Sequence, residues 1–350
     1  VTFLLLLAFI YLAGLGAGGP KVAWVGVLFI SSIFACVVIH EIGHSLIARR
    51  FGTEAKSITL LPIGGVATME EMPEKPSQEI AMALVGPLIN LAIAGVVYLA
   101  AGGRVGLTWP VNLFVKSGSE FLSGFITLNI VLAGFNLLPG FPMDGGRVLR
   151  GLLALKLDYV TATSIAVFIG QAFSMFFIFF GIFANIWLVF IGIFLYMGAG
   201  GEKRHVMLRT VLQGVWAEEA MTTDFRALRP DESVSTALGY VYHGCQSDFP
   251  VVGDSGIEGV LSHTSILAAV HAEAADVAVS ELMDRDFPRV TPDTSLYKVY
   301  RQFLEGNRTT TAVVEGGELK GMLSLDSIGR FLMIQSALKG METGSPAVRR

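Results

Sequence analysis

His40-Glu41-Ile42-Gly43-His44 closes a run from Val22 to Ile39 that carries no charged residue, so two imidazoles and a carboxylate stand within a stretch apolar enough to cross a bilayer. Residues i and i+4 share one helical face, which lets His40 and His44 each turn a ring nitrogen toward one divalent cation with Glu41 beside it. The spacing is that of a zinc hydrolase. The bland alternative is a chance H-x-x-x-H on a solvated helix face. Membrane depth argues against it, because an ionisable group there costs about 2.5–3.5 kcal/mol on insertion scales and persists where it has a task.

Outward from this motif, the 350 residues are 53% apolar and 15% charged, and the charges are unevenly placed. Residues 1–200 form apolar blocks of span length, whereas 201–350 read as ordinary globular sequence. We expect a multi-pass α-helical membrane domain of six transmembrane helices at about 2–18, 22–48, 79–101, 121–140, 160–179 and 182–199. A juxtamembrane linker (201–214), an α/β domain (215–338) and a C-terminal tail (339–350) follow. Gly181 and Asn185 are the only break signals near the proposed division of the Phe-rich stretch 160–199. Ten Lys and Arg lie on one set of loops against Lys21, Arg104 and Lys116 on the other, so the positive-inside rule places the C-terminal domain in the cytoplasm of a cell-membrane protein. A net charge of −4 suggests no nucleic-acid partner, and Cys36 and Cys245 fall in different domains, so no disulfide framework is expected. The apolar block begins almost at Val1, without the basic n-region of a signal peptide, and a short polar lead-in is expected before it.

His40 lies about eighteen residues into the second span, roughly 27 Å along it, which puts the motif toward the cytoplasmic end. The fourth span descends to the same side and ends in Asn136-Leu137-Leu138-Pro139-Gly140-Phe141-Pro142-Met143-Asp144-Gly145-Gly146, where prolines and glycines cannot continue a regular helix. Broken backbone at that depth is tolerated where protein buries it or water reaches it. A catalytic zinc needs three protein ligands and an open position, and Asp144 is the candidate third ligand beside His40 and His44. The local alternative is that Asp144 caps the helix starting near Gly145.

With these residues in view, the first 200 positions resemble the site-2 protease group of intramembrane zinc metalloproteases, of peptidase M50 type. The resemblance rests on His40-Glu41-x-x-His44, on Asn136-x-x-Pro139 running into Asp144-Gly145, and on the six-span layout. It implies zinc held by His40, His44 and Asp144, with Glu41 as general base. The substrate it implies is a transmembrane segment of another membrane protein, such as an anti-sigma factor or a membrane-bound transcription-factor precursor, cut in regulated intramembrane proteolysis within the lipid bilayer.

Other positions keep two readings. The β-prone segment from Ser57 to Thr68, with Gly64-Gly65, is either an edge for an unwound substrate strand or a simple surface hairpin. Asn90, in Gly86-Pro87-Leu88-Ile89-Asn90, serves substrate positioning or interhelical packing. Asn136 orients substrate or holds the broken loop. Cys36, one turn before His40, reads as a packing residue, since a fourth ligand would close the site.

The soluble part repeats itself at an offset of 62 without gaps: Met221 matches Met283, Asp224-Phe225 matches Asp286-Phe287, and Gly259-x-Leu261-Ser262 matches Gly321-x-Leu323-Ser324. Each unit reads as a short strand, a helix, two strands and a second helix, so two units would bury one another's apolar faces. Over about 215–338 this resembles a pair of CBS motifs, a Bateman module. The resemblance implies ATP or another adenine nucleotide in the cleft, with Ser262, Ser324 and Asp326 as candidate contacts. The family's ribose-binding Asp position holds Ser265 and Ser327, with Asp326 one residue early, and fold alone does not establish a ligand. The alternative roles are homodimerisation through the CBS motifs or substrate docking. A different class of reading, a CBS-regulated ion transporter or channel lined by the same histidines and Asp144, predicts paired hydrophobic repeats, and none is visible in 1–200.

Overall fold

The computed structural model describes residues 2–53, 55–61, 64–69, 75–115, 117–244, 246–254, 256–272, 276–306 and 308–342. Cys245, Lys116, Pro62, Ile63 and the tail beyond 342 lie outside them. The chain divides into two compact units, Val1–Met207 and Leu208–Arg350.

In the first unit, helices α1 (Thr2–Gly18), α2 (Pro20–Arg50), α3 (Pro76–Ala100), α4 (Gly118–Asn136), α6 (Tyr159–Ala184) and α7 (Ile186–Leu212) are the apolar ones. Five of these are long and apolar enough to cross a membrane, and the 17-residue α1 is shorter. Residues on their outward faces such as Phe183, Leu99 and Trp187 are exposed, as lipid-facing side chains are. A hairpin of β1 (Ala55–Leu61) and β2 (Gly64–Met69) lies between α2 and α3, and the short α5 (Asp144–Ala154) follows α4. The Phe-rich stretch divides at Asn185, whose extended backbone ends α6 and whose Oδ1 accepts from Trp187 N at 2.9 Å. At the other end of α6, Asp158 accepts from Thr161 N at 2.9 Å, a cap that holds its carboxyl below the usual carboxylate range.

Three boundaries differ from expectation, the first being the division of the Phe-rich stretch, which falls at Asn185 and not at 180–181. Helix α4 stops at Asn136, not 140, because its next residues turn back on themselves before Pro139. Helix α7 continues to Leu212, so most of the stretch expected as a linker is helical and the boundary between the units falls inside it. Between Gly201 and Gly214 the sequence has no Gly or Pro to end that helix.

The second unit carries the repeat into three dimensions. Helices α8 (Ala217–Ala220) and α9 (Val234–Tyr242), strands β3 (Phe249–Gly253) and β4 (Gly256–Leu261) and helix α10 (His263–His271) form one motif. Sixty-two residues on, α11 (Val279–Leu282), α12 (Leu296–Gly306), β6 (Thr310–Glu315), β7 (Glu318–Ser324) and α13 (Leu325–Glu342) answer them, with β5 (Arg289–Val290) as the short strand. The opening helices α8 and α11 are additional to the expected pattern. In the first motif the short strand is a single parallel bridge from Leu228 to Val251, the counterpart of Val290 on Val313.

The motifs interlock by exchange. Thr222 pairs with Met322, and its counterpart Asp284 pairs with Val260; Trp216 pairs with Ser295, and Ser233 with Ala278. Each motif's leading segment thus completes the other's hairpin. The glycines of the repeat make room for this: a Cβ at Gly259 would stand 2.6 Å from Met283 Sδ, and one at Gly321 would stand 2.7 Å from Met221 Sδ. Those four residues are the matched pairs of the 62-residue repeat.

Overpacking at either glycine is expected to cost about 1–3 kcal/mol. Gly259→Ala and Gly321→Ala should therefore lower hydrogen-exchange protection of the β4 and β7 amides to a similar degree. Gly239→Ala, where an added Cβ meets nothing within 4 Å, should leave it unchanged or raise it.

Candidate metal centre

Helix α2 presents His40 and His44 on one buried face, with relative exposures of 4% and 6%. Their rings meet edge to face, with centroids 4.7 Å apart. His44 Nδ1 lies 2.7 Å from the carbonyl of Met82 in α3. A carbonyl only accepts, so Nδ1 carries the proton and Nε2 of the neutral ring is a bare lone pair.

That lone pair faces two other electron-rich atoms. His44 Nε2 is 3.0 Å from His40 Nε2, and Asp144 Oδ2 is 3.2 Å from both. One proton could bridge one side of this triangle, and the remaining sides would set acceptor against acceptor. A divalent cation removes the conflict, and two imidazole nitrogens with one carboxylate oxygen form the donor set of a catalytic zinc that keeps a fourth position open. The residues present therefore fit zinc.

Asp144 reaches the triangle because the broken segment before it is tied down by protein. Gly140 N donates to Leu138 O, Phe141 N to Ala166 O in α6, Met143 N to Gly140 O and Gly146 N to Met143 O, at 2.8–3.3 Å. Side chains are excluded along this path. A Cβ at Gly145 would strike the backbone of Leu137 and Leu138, one at Gly146 that of Gly140 and Phe141, and one at Gly170 the carbonyl of Phe141. Helix α5 therefore packs backbone to backbone on the loop. Met143 occupies its N-cap without a side-chain bond, and Asp144 is the first helical residue, turned to the imidazoles instead of capping.

Glu41 is half-buried on the helix that bears both histidines, its carbonyl accepting from Ser45 Oγ at 2.9 Å. Asn90 is buried in α3, and Asn136 is the half-buried last residue of α4. Gly64 and Gly65 open β2, in register with Leu61 and Leu60. Two further parts were not anticipated from sequence. A Cβ at Gly86 would collide with Nε2 of both His40 and His44, so this glycine of α3 leaves the space in which the two nitrogens meet. Behind α5, Arg150 is fully buried between Glu79 and Glu202. The adjacent Gly86-Pro87 pair read only as a helix-packing signal that did not point to the histidines; nothing in sequence marked the second.

In the second unit a cavity of about 300 Å³ is lined by Thr222, Asp224, Asp248, Ser324, Asp326 and Arg330 among others. Ser324 and Asp326 thus stand together there. Ser262 caps α10, accepting from Ser265 N at 3.1 Å, and does not line that cavity.

The sequence model of peptidase family M50 matches residues 28–177, and that of the CBS domain matches 217–272 and again 279–333. Zinc metalloprotease MJ0392 of Methanocaldococcus jannaschii is 34% identical over 335 residues, covering 95% of this chain and 92% of that protein. The chain belongs to peptidase family M50. Stage IV sporulation protein FB of Bacillus subtilis is 32% identical over 127 residues, 36% of this chain and 40% of that one. The solved site-2 protease from Methanocaldococcus jannaschii shares 33% identity across 58% of this chain and 88% of that one, with a TM-score of 0.44. As an M50 member the chain is a membrane zinc metalloendopeptidase of the site-2 protease type with a CBS pair, which sets aside the transporter alternative.

Gly86→Ala tests the space between the rings. It should weaken zinc binding at least about 10–100-fold, the range for disturbed supporting groups, while α3 remains inserted. Zinc content after purification against a chelator reads the effect.

Proposed function

We propose that the chain hydrolyses a peptide bond within a transmembrane segment of another membrane protein, using zinc held by His40, His44 and Asp144. The convergence of those three donor atoms among apolar helices carries this reading. When bound, zinc supplies the Lewis acidity that makes water a nucleophile near neutral pH. Glu41 accepts the proton that water gives up as the new C–O bond forms, and returns it to the leaving amine as the C–N bond breaks. Its place next to His40 keeps it close to the metal-facing nitrogens without competing for them. The β1–β2 hairpin, with Gly64 and Gly65, offers backbone for an unwound substrate to pair with, and Asn90 and Asn136 help position that substrate.

The asymmetry of basic loop residues supports an orientation with the CBS pair in the cytoplasm. Regulated intramembrane proteolysis of an anti-sigma or transcription-factor precursor is the role this arrangement suits, with the CBS pair as its modulator and a site of homodimer contact. In the modulator, Asp224 and Asp326 suit ribose hydroxyls and Arg330 suits a phosphate, which favours a nucleotide as ligand; adenine as its base rests on the likeness to CBS pairs alone.

Glu41→Gln should retain zinc and lower cleavage of a co-reconstituted single-span substrate by about 10²–10⁴-fold. Retained zinc with undiminished cleavage would overturn the assignment of Glu41. ATP should bind the full chain saturably, and binding should weaken in Asp326→Ala and Arg330→Ala; absence of saturable binding in the native chain would remove the nucleotide from the proposal.

A further inference from the structure

Arg150 is a guanidinium with no solvent exposure, set six residues after Asp144 on the same short helix. Its Nε donates to Glu79 Oε1 at 2.6 Å, with Nη2 2.5 Å from the same oxygen, and its Nη1 donates to Glu202 Oε1 at 2.7 Å. Its Cζ lies over the rings of Phe141 and Tyr159, 4.6 and 4.8 Å from their centroids. One side chain therefore gathers α5, the loop through Phe141, α3 through Glu79, α6 through Tyr159 and α7 through Glu202.

Glu79 connects this cluster to the metal centre. It shares the buried face of α3 with Met82, whose carbonyl fixes the His44 tautomer, and with Gly86, which leaves room for both imidazoles. The Arg150–Glu79 pair is thus a direct tie between the helix that delivers Asp144 and the helix that orients His44. Stability alone is a poor reason for it, because apolar groups of matching volume commonly hold a buried site as well as an ion pair does. A planar fork bonded to two carboxylates, with its Cζ over two aromatic rings, supplies something apolar groups lack, a fixed direction and spacing.

We propose that Arg150, bridged to Glu79 and Glu202, is a positioning residue that sets the spacing of α5 and α3 and so holds Asp144 Oδ2 against the two imidazole nitrogens. The proposal rests on the ligand reading given under the proposed function. It makes Arg150 a determinant of metal affinity although it touches neither the donor atoms nor substrate.

The test uses the full chain in detergent, with zinc affinity measured by chelator competition and the visible absorption of the Co²⁺-loaded protein as a report on the donor set. The proteins compared are wild type, Asp144→Asn, Arg150→Lys and the triple variant Glu79→Gln/Arg150→Met/Glu202→Gln. Arg150→Lys keeps the charge and loses the fork, and the triple variant removes all three charges together. Both are expected to insert and fold, to bind zinc about 10–100-fold more weakly, and to show altered cobalt bands. A folded Arg150→Lys protein with zinc affinity within about twofold of wild type and an unchanged cobalt spectrum overturns the proposal, and this variant decides alone if the triple variant does not accumulate. Asp144→Asn separates the two possible failures. If it binds zinc as wild type does, the ligand reading falls and takes this one with it; if it loses zinc while Arg150→Lys keeps it, only the positioning role falls.

Discussion

The irregular backbone between α4 and α5 is packed among apolar helices, so the protein itself must satisfy it, and the geometry of the candidate metal centre follows from how it does so. Local turns serve most of residues 137–143, and one bond crosses to the Ala166 carbonyl of α6. That economy requires main chains to touch. Gly140 meets Gly170, Gly145 meets Leu137 and Leu138, and Gly146 meets Phe141, each at a distance that admits no Cβ. Backbone contacts have little freedom to slide, and the first residue of α5 is thereby delivered to a fixed point. Asp144 is that residue, and its place in the first turn also suits the positive end of the helix dipole.

One turn beyond Gly146 on α5, charge at Arg150 does what glycine does at the helix start. Removing Arg150 alone would leave Glu79, itself fully buried, without its counter-ion, a loss of roughly 3–5 kcal/mol for such a broken pair. The two devices differ in kind: the glycine contacts limit how near α5 can come to the loop, while the guanidinium ties it to α3 and α7. A centre that holds three acceptor atoms about 3 Å apart needs that rigidity, since even a small rotation of one element would separate them.

How much of this was legible in sequence depends on whether a feature is local. His40 and His44 are four residues apart, and helical periodicity alone puts them together. Asp144 was legible one step less directly, from its depth and the prolines and glycines around it. The domain order and the repeat of the second unit were legible because both are periodic or compositional. Gly86 and Arg150 were not, for the same physical reason: what an added Cβ at Gly86 meets lies on another helix, and the partners of Arg150 are 71 and 52 residues away with no spacing rule connecting them. The extension of α7 to Leu212 was hidden because polar residues in a helix that continues past an apolar span look like a linker.

The second unit shows how a repeat can be exact in fold and unequal in chemistry. In both motifs the serine after the hairpin caps the following helix, Ser262 by accepting from Ser265 N and Ser324 by accepting from Ser327 N, each at 3.1 Å. Ser327 returns the favour, accepting from Ser324 N at 2.9 Å, so a hydroxyl occupies the position where the CBS pattern has its carboxylate. The next place a carboxylate can stand is one residue earlier, and only one motif has it: Asp326 there, Thr264 in its counterpart, where the side chain bonds to Ser262 instead. Where the cavity is lined by Gln246 and Thr222, the matching positions of the other motif hold Arg308 and Asp284, 3.3 Å apart in a half-exposed ion pair. The pseudo-twofold therefore relates places of different polarity, one carrying an ion pair and one lined by acids with Arg330 at its side, so charge separates the two halves although their backbones match.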